Sequence, residues 1–165
     1  MARYYRKRIY KRKRSKWSIE QRPGFILGSG WSSTQDAYLN RQAFVPIVSS
    51  TSQEGVRKVK NITVSLAVGG TNSADTPSYY YALIYLPEGT VYTELSSQGQ
   101  LYTPSQYVIS SGIITPEQGK MRIRTRLARN LNQGDSVYLI IGTNSNSISS
   151  ASRFNYLVQY AICYN

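Results

Sequence analysis

The sequence predicts an all-β domain with a basic N-terminal arm, and three observations predict it. The 165-residue chain is poor in strong helix formers and rich in Tyr, Ser, Thr, Val, Ile and Gly, a balance that favours strands and turns. From residue 35 onward, apolar and polar residues alternate with period two between turn residues. No window of about 12 residues combines helical periodicity with caps. A domain of roughly 140 residues buries about two thirds of its unfolded surface, enough for a core of its own.

The expected strands follow in order. The first is Tyr38 to Val48. In VKNITVSLAVGG, Ile62, Val64, Leu66 and Val68 fall on one face and Thr63, Ser65 and Ala67 on the other, ended by Gly69-Gly70. In SYYYALIYLPEG both faces are apolar or aromatic, so this strand is expected to be covered on both sides, with Pro87, Glu88 and Gly89 turning the chain. Further strands are expected at Gln106 to Thr115, Lys120 to Ala128, Ser136 to Gly142 and Arg153 to Tyr164. Turns fall at Pro116 to Gly119 and at LNQGDS (Leu131 to Ser136), the latter hairpin-like with Gly134 free to take positive φ. Thr71 to Pro77 and Thr143 to Ser152 read as loops; Val91 to Pro104 fits no element clearly. Seven or eight short antiparallel strands make a two-sheet sandwich, and jelly rolls and immunoglobulin-like folds both fit that count.

Charge divides the chain at about residue 22. Residues 1–22 hold ten Lys or Arg against one acid, Glu20, a net +9 of the total +12. Residues 23–165 are nearly balanced, with ten basic residues and seven acids. The arm (1–22) and the β domain (23–165) are therefore separate devices. Arg3, Arg6, Lys7, Arg8, Lys11, Arg12, Lys13, Arg14 and Lys16 are the expected nucleic-acid-binding cations, each releasing a counterion when it meets a phosphate. Tyr4, Tyr5, Tyr10 and Trp17 are threaded among them. They would either stack on unpaired bases or pack on the domain and anchor the arm. Lys11 to Arg14 also reads as a nuclear-localisation cluster. A zinc-finger spacing, a recognition helix and an aromatic RNA-binding motif are all missing, so binding is expected to tolerate sequence.

Two basic clusters lie inside the domain. In GKMRIRTRLARN, Arg122, Arg124 and Arg126 alternate with Met121, Ile123, Thr125 and Leu127, so three guanidiniums share one strand face, followed by Arg129. Arg57, Lys58 and Lys60 open another strand. Each cluster is a secondary nucleic-acid surface, a subunit contact or an ordinary solvent face.

Several classes are disfavoured. The chain has no histidine, which removes the commonest general base and metal ligand. Its acids form no catalytic pair or calcium-loop spacing, and it has no phosphate loop, dinucleotide fingerprint or nucleophile elbow. No catalytic residue, metal site or cofactor is expected. Cys163, the single cysteine, reads as a buried small residue in the last strand. The basic start is followed by no apolar segment, and no apolar run is long enough to span a membrane; neither secretion nor membrane insertion is expected.

RYYRKRIYKRKRSKW, RKVKNITVSLAVGG, YALIYLPEG and MRIRTRLARNLNQGDSVYLIIG together resemble the capsid proteins of small circular Rep-encoding single-stranded DNA viruses, the circovirus-like agents. The resemblance covers most of the chain and is most specific at Tyr81 to Gly89 and Met121 to Gly142. It implies one jelly roll of eight antiparallel strands in two sheets. It further implies assembly of roughly 60 copies into a T=1 icosahedral shell, with the arm inside binding a single-stranded DNA genome. Arg3 to Lys16 would bind genome and a nuclear-import receptor, placing the protein in the virion and, during assembly, in the host nucleus; the outer surface would meet a cell-surface receptor. RNA would be taken up on heterologous expression. The chain is shorter than typical circovirus capsids, with a briefer arm. The alternatives are a non-assembling basic nucleic-acid-binding β protein, such as a chaperone or ribosome-associated protein, and the capsid of a small RNA or satellite virus. The fifteen tyrosines suit subunit interfaces; Tyr80, Tyr81, Tyr156 and Tyr160 are expected to divide between core and interface.

Overall fold

The computed structural model describes residues 16–33, 41–69, 78–90, 107–115, 120–143 and 153–164. Ten strands are described: β1 (Ser18–Leu27), β2 (Ser32–Ser33), β3 (Arg41–Val48), β4 (Arg57–Gly69), β5 (Tyr79–Leu86), β6 (Val108–Ile114), β7 (Lys120–Thr125), β8 (Arg129–Leu131), β9 (Ser136–Thr143) and β10 (Arg153–Tyr164). They form two antiparallel sheets. Sheet A runs β1-β10-β4-β7, with the short β8 also on β4; sheet B runs β2-β3-β9-β5-β6. Without the short β2 and β8, eight strands remain, four to a sheet, in the interleaved order of a jelly roll.

The alternation read from the sequence generates the sandwich. Ile62, Val64 and Leu66 of β4 meet Val45 and Ile47 of β3, Leu139 and Ile141 of β9 and Val158 and Ile162 of β10 in one core. Its aromatic centre is Trp31, Tyr79 and Phe154, with the Trp31 and Phe154 rings 5.0 Å apart. β5 is covered on both sides, as expected: Tyr79 and Leu83 enter the core, while Ala82, Ile84 and Leu86 join Ile140 in a second apolar cluster on sheet B's other face. Tyr160 is buried and Tyr80 exposed, and Tyr81 and Tyr156 are half-buried against the core. Cys163 is buried and forms no disulfide. At Pro87 to Thr90 the expected turn closes with Thr90 N donating to Pro87 O at 3.1 Å.

The structure departs from the sequence reading in four places. First, β1 was not expected. It runs through residue 22, where charge composition had ended the arm, and pairs with β10 from Ser18↔Ile162 to Leu27↔Arg153. Its sequence, SIEQRPGFIL, contains Pro and Gly, which an edge strand tolerates. Gly24 also has a packing reason, since a Cβ there would lie 2.3 Å from the Tyr156 ring. Second, β7 ends at Thr125 rather than Ala128. Thr125 Oγ1 accepts the Leu127 N–H at 3.2 Å, turning the chain out, so Leu127 is 58% exposed instead of facing the core. Third, LNQGDS is no hairpin. It carries the chain from β8 in sheet A to β9 in sheet B, with Gly134 at φ 77°. Fourth, β4 carries one extra residue around Asn61 opposite Gln159/Ala161 of β10. Asn61 takes φ 54° there, a conformation asparagine tolerates better than most residues.

The expected elements at Tyr38 to Asn40, Thr71 to Pro77, Val91 to Gln106, Pro116 to Gly119 and Asn144 to Ser152 lie outside the described residues.

Gly24→Ala is expected to lower stability by about 1–3 kcal/mol in denaturant unfolding through collision with Tyr156. In a Tyr156→Ala background the same change should cost much less, and the difference measures the collision.

Candidate nucleic-acid interface

The strand register fixes which side chains share sheet A's outward face. Across β1, β10, β4 and β7 the rows are Gln21–Gln159–Thr63–Arg124, Pro23–Leu157–Ser65–Arg122 and Phe25–Asn155–Ala67–Lys120. Past the bulge, Ala161 faces Lys60 and Cys163 faces Lys58. Lys58, Lys60, Lys120, Arg122, Arg124 and Arg153 therefore lie on one face. Among the described strand residues this face carries no acid; Glu20 falls on the opposite parity of β1. An open hollow of about 1160 Å³ beside Lys120 and Arg122 is bordered by Ser65 and Leu157 of this face and also by inward-facing Tyr156 and by Ile114 and Thr115 at the end of β6. Towards β1 the face is apolar: Ile19 is 70% exposed and Phe25 54%, with Leu27 and Leu157 also exposed.

The basic clusters meet in part. Lys16 is exposed. Trp17, one residue before β1, is half-buried, and Lys60 Nζ sits 3.9 Å from its ring centroid. Such a cation–π contact is worth roughly 0.5–1 kcal/mol near the surface. It joins the root of the arm to the basic face. Arg122 and Arg124 are exposed while Met121 and Ile123 are buried, the alternation expected. Arg126 lies beyond the strand end, exposed. Arg153 does not stand out in the sequence, because one arginine at a strand start gives no pattern. Its guanidinium lies 4.6 Å from the Phe25 ring centroid, and its Nε donates to Asn155 Oδ1 at 3.0 Å. Arg3, Arg6, Lys7, Arg8, Lys11, Arg12, Lys13 and Arg14 lie outside the described residues.

Arg57 belongs elsewhere. It is 7% exposed, and its Nη1 and Nη2 donate to Ser49 O and Asp135 O, each at 2.9 Å. The bulge sets it on the inward parity, so it braces the domain instead of facing a phosphate. Arg22, counted with the arm, donates from Nη1 to Ser49 Oγ at 3.1 Å.

Asp135, 3% exposed, organises the corner between the sheets. Its Oδ2 accepts from Tyr85 Oη at 2.8 Å and Asn132 N at 2.6 Å, and its Oδ1 from Glu88 N at 3.3 Å. Arg129 covers the Tyr85 ring at 5.4 Å. Burial, then the Asp135 hydrogen bond, push the Tyr85 phenol up to about 12, and burial alone does the same to Tyr79. Among the described residues no group of three or more His, Cys, Asp or Glu comes together, and no helix is long and apolar enough to cross a membrane.

The fold and this face define the class: a jelly-roll β-sandwich with a cationic face on one sheet, at the root of a basic segment. No protein-family model matches the chain, and no curated protein matches it in sequence. Among solved structures it is similar to a chain of tomato aspermy virus, at 10% identity and TM-score 0.40, over 91% of this chain and 80% of that one. It is similar also to a chain of the Israeli acute paralysis virus full particle, at 13% identity and TM-score 0.39, over 91% and 74%. The xylanase 10B modules of Clostridium thermocellum match at 12% identity and TM-score 0.29, over 91% and 26%.

Replacing Arg122 and Arg124 together by Gln should leave the fold intact, since both are exposed. It should reduce the slope of log affinity for single-stranded DNA against log salt by about 1.4, or roughly 0.7 for each phosphate no longer neutralised. Tyr79 and Tyr85 should ionise late, near pH 12, in a tyrosinate-absorbance titration. Their folded-state values exceed the ordinary 10.0, so the stability they contribute is complete below pH 10 and lost as pH rises through about 12. Tyr85→Phe should remove one late-ionising phenol.

Proposed function

We propose that this chain is a capsid subunit that assembles into a small icosahedral shell and packages single-stranded nucleic acid, with sheet A's basic face turned towards the packaged strand. One observation carries the reading: the cations of β4 and β7 share an outward face, acid-free among the described strand residues, that the Trp17–Lys60 contact joins to the start of the arm. A basic arm rooted on a basic face forms one continuous phosphate-binding surface. The jelly-roll order and the four resembling sequence stretches point the same way.

Exposed apolar residues supply the means of assembly. Ile19, Phe25 and Leu27 lie on edge strand β1, and Tyr80 and Ile113 lie on β5 and edge strand β6. Two different patches, one on each sheet, suit head-to-tail contacts, which close rings when the rotation permits. The shell then contains about 60 copies and encloses circular single-stranded DNA. Arg3 to Lys16 neutralise phosphates, Lys11 to Arg14 engage a nuclear-import receptor, and the outer surface meets a cell-surface receptor. Lys and Arg do not separate DNA from RNA phosphates, so the same surface takes RNA where RNA is abundant.

Negative-stain microscopy of the purified protein should show uniform shells on the order of 20 nm across. Monodisperse monomers in every buffer tried would overturn the reading. Deletion of residues 2–16, stopping before Trp17 and β1, should preserve the β circular-dichroism signal and abolish nucleic-acid uptake. A cut at residue 22 would remove half of β1 and should destabilise the domain itself.

A further inference from the structure

We propose that the cleft between β5 and β8 is a subsite for one unpaired nucleotide, holding the base against Tyr107 and its phosphate between Lys58 and Arg129. The inference rests on the nucleic-acid reading above and does not depend on shell assembly.

The cleft has a volume of about 480 Å³ and is lined by Lys58, Tyr85, Pro87, Tyr107, Ala128, Arg129 and Asn130. That size falls in the range of small-ligand sites. Its two cations reach it from opposite faces of sheet A: Lys58, paired with Asn130, from the outward face, and Arg129, paired with Val59, from the side that meets Tyr85. Among the described residues no acid lines it. The Asp135 carboxylate behind Tyr85 already accepts three hydrogen bonds.

The aromatic wall is built before any ligand arrives. The Tyr85 and Tyr107 rings are stacked with a 20° interplanar angle and centroids 6.4 Å apart, an offset arrangement. Tyr85 N donates to Tyr107 O at 2.7 Å, and Asp135 holds the Tyr85 hydroxyl at 2.8 Å. A ring pair braced in this way is an ordered stacking surface, so a base loses little to reorganisation of the protein. Asn130 adds an amide that both donates and accepts towards a base edge. Position completes the case. Lys58 belongs to the outward basic face of sheet A, and exposed Arg126 precedes the Ala128 wall by two residues. A strand crossing Arg122 and Arg124 therefore reaches the cleft along continuous positive charge. A duplex keeps its bases stacked inside, so this geometry selects single strands.

The test uses the full chain and a bromouracil-substituted oligothymidylate. Irradiation followed by peptide mapping should place a crosslink at Tyr107, and Arg129→Gln should suppress it. In salt high enough to weaken the arm, Tyr107→Leu should reduce affinity for oligothymidylate about tenfold and leave affinity for an abasic phosphodiester of equal length unchanged; Tyr107→Phe should retain wild-type binding. Crosslinks confined to residues 1–17 would overturn the subsite while sustaining the nucleic-acid reading. Equal losses on the abasic chain would overturn base stacking at Tyr107, and with it the subsite. Failure of the wild-type chain to bind any oligonucleotide would overturn both.

Discussion

The fold turns on the carboxylate of Asp135. Here the chain leaves sheet A at β8 and enters sheet B at β9 within a few residues, a change of layer that exposes backbone donors away from any ladder. One buried side chain collects them: the Asn132 and Glu88 amides and the Tyr85 hydroxyl. The Asp135 carbonyl in turn accepts Arg57, whose other arm holds Ser49. The start of β4, the end of β5 and the crossing itself are thus fastened at one point, with both charges buried. Arg57 bonds the Asp135 backbone and not its carboxylate, so the two side chains act separately: removing the carboxylate leaves the Asn132 and Glu88 amides and the Tyr85 hydroxyl without this acceptor, and removing Arg57 leaves the Ser49 and Asp135 carbonyls without this donor. Their value lies in position: together they fasten the β8–β9 crossing to the start of β4 and the end of β5.

Charge placement follows from that geometry. Like-charged copies of a domain repel one another when their cations are spread over every surface. On sheet A's outward face the cations lie mainly on β4 and β7, while the exposed apolar residues lie on β1 and β10; Tyr80 and Ile113 form a second apolar patch on β5 and β6. On the proposed reading, packing and phosphate binding draw on different strands, so each can be strong without weakening the other.

Much of this was legible in the sequence, and the failures have physical causes. Alternation gave away β4, β7 and β10, because a half-buried strand has to alternate, and β9 showed as a continuous apolar run because it is buried on both faces. The arginine stripe of β7 was legible for the same reason. β1 was hidden because an edge strand with an exposed face needs neither β-branched residues nor freedom from Pro and Gly; its strand state comes from pairing with β10, which is distant in sequence. Arg57 looked like a member of a surface cluster because Lys58 and Lys60 flank it. The bulge at Asn61 shifts the parity of everything before it, and one extra residue is invisible to a periodicity count. Asp135 read as a turn residue, which it is, but its partners Tyr85 and Glu88 come from a distant stretch of the chain. The Tyr85–Tyr107–Arg129 cleft draws on three separate segments, and local pattern carries no signal of it.

The Trp17–Lys60 contact fixes the residue at which the basic run ends. A basic segment emerging from the edge of a neutral domain would sample every orientation, and its cations would reach phosphates only at the cost of their own ordering. Trp17 removes part of that freedom at the hinge, because its ring lies on Lys60, on the same face as Arg122 and Arg124. Trp17 therefore lies against the basic face. On the proposed reading, a strand bound at Arg122 and Arg124 meets arm cations at high local concentration, and each engaged site raises the occupancy of the next. The aromatic at the end of the basic run would then join a charged tail and a charged sheet, each weak alone, into one surface.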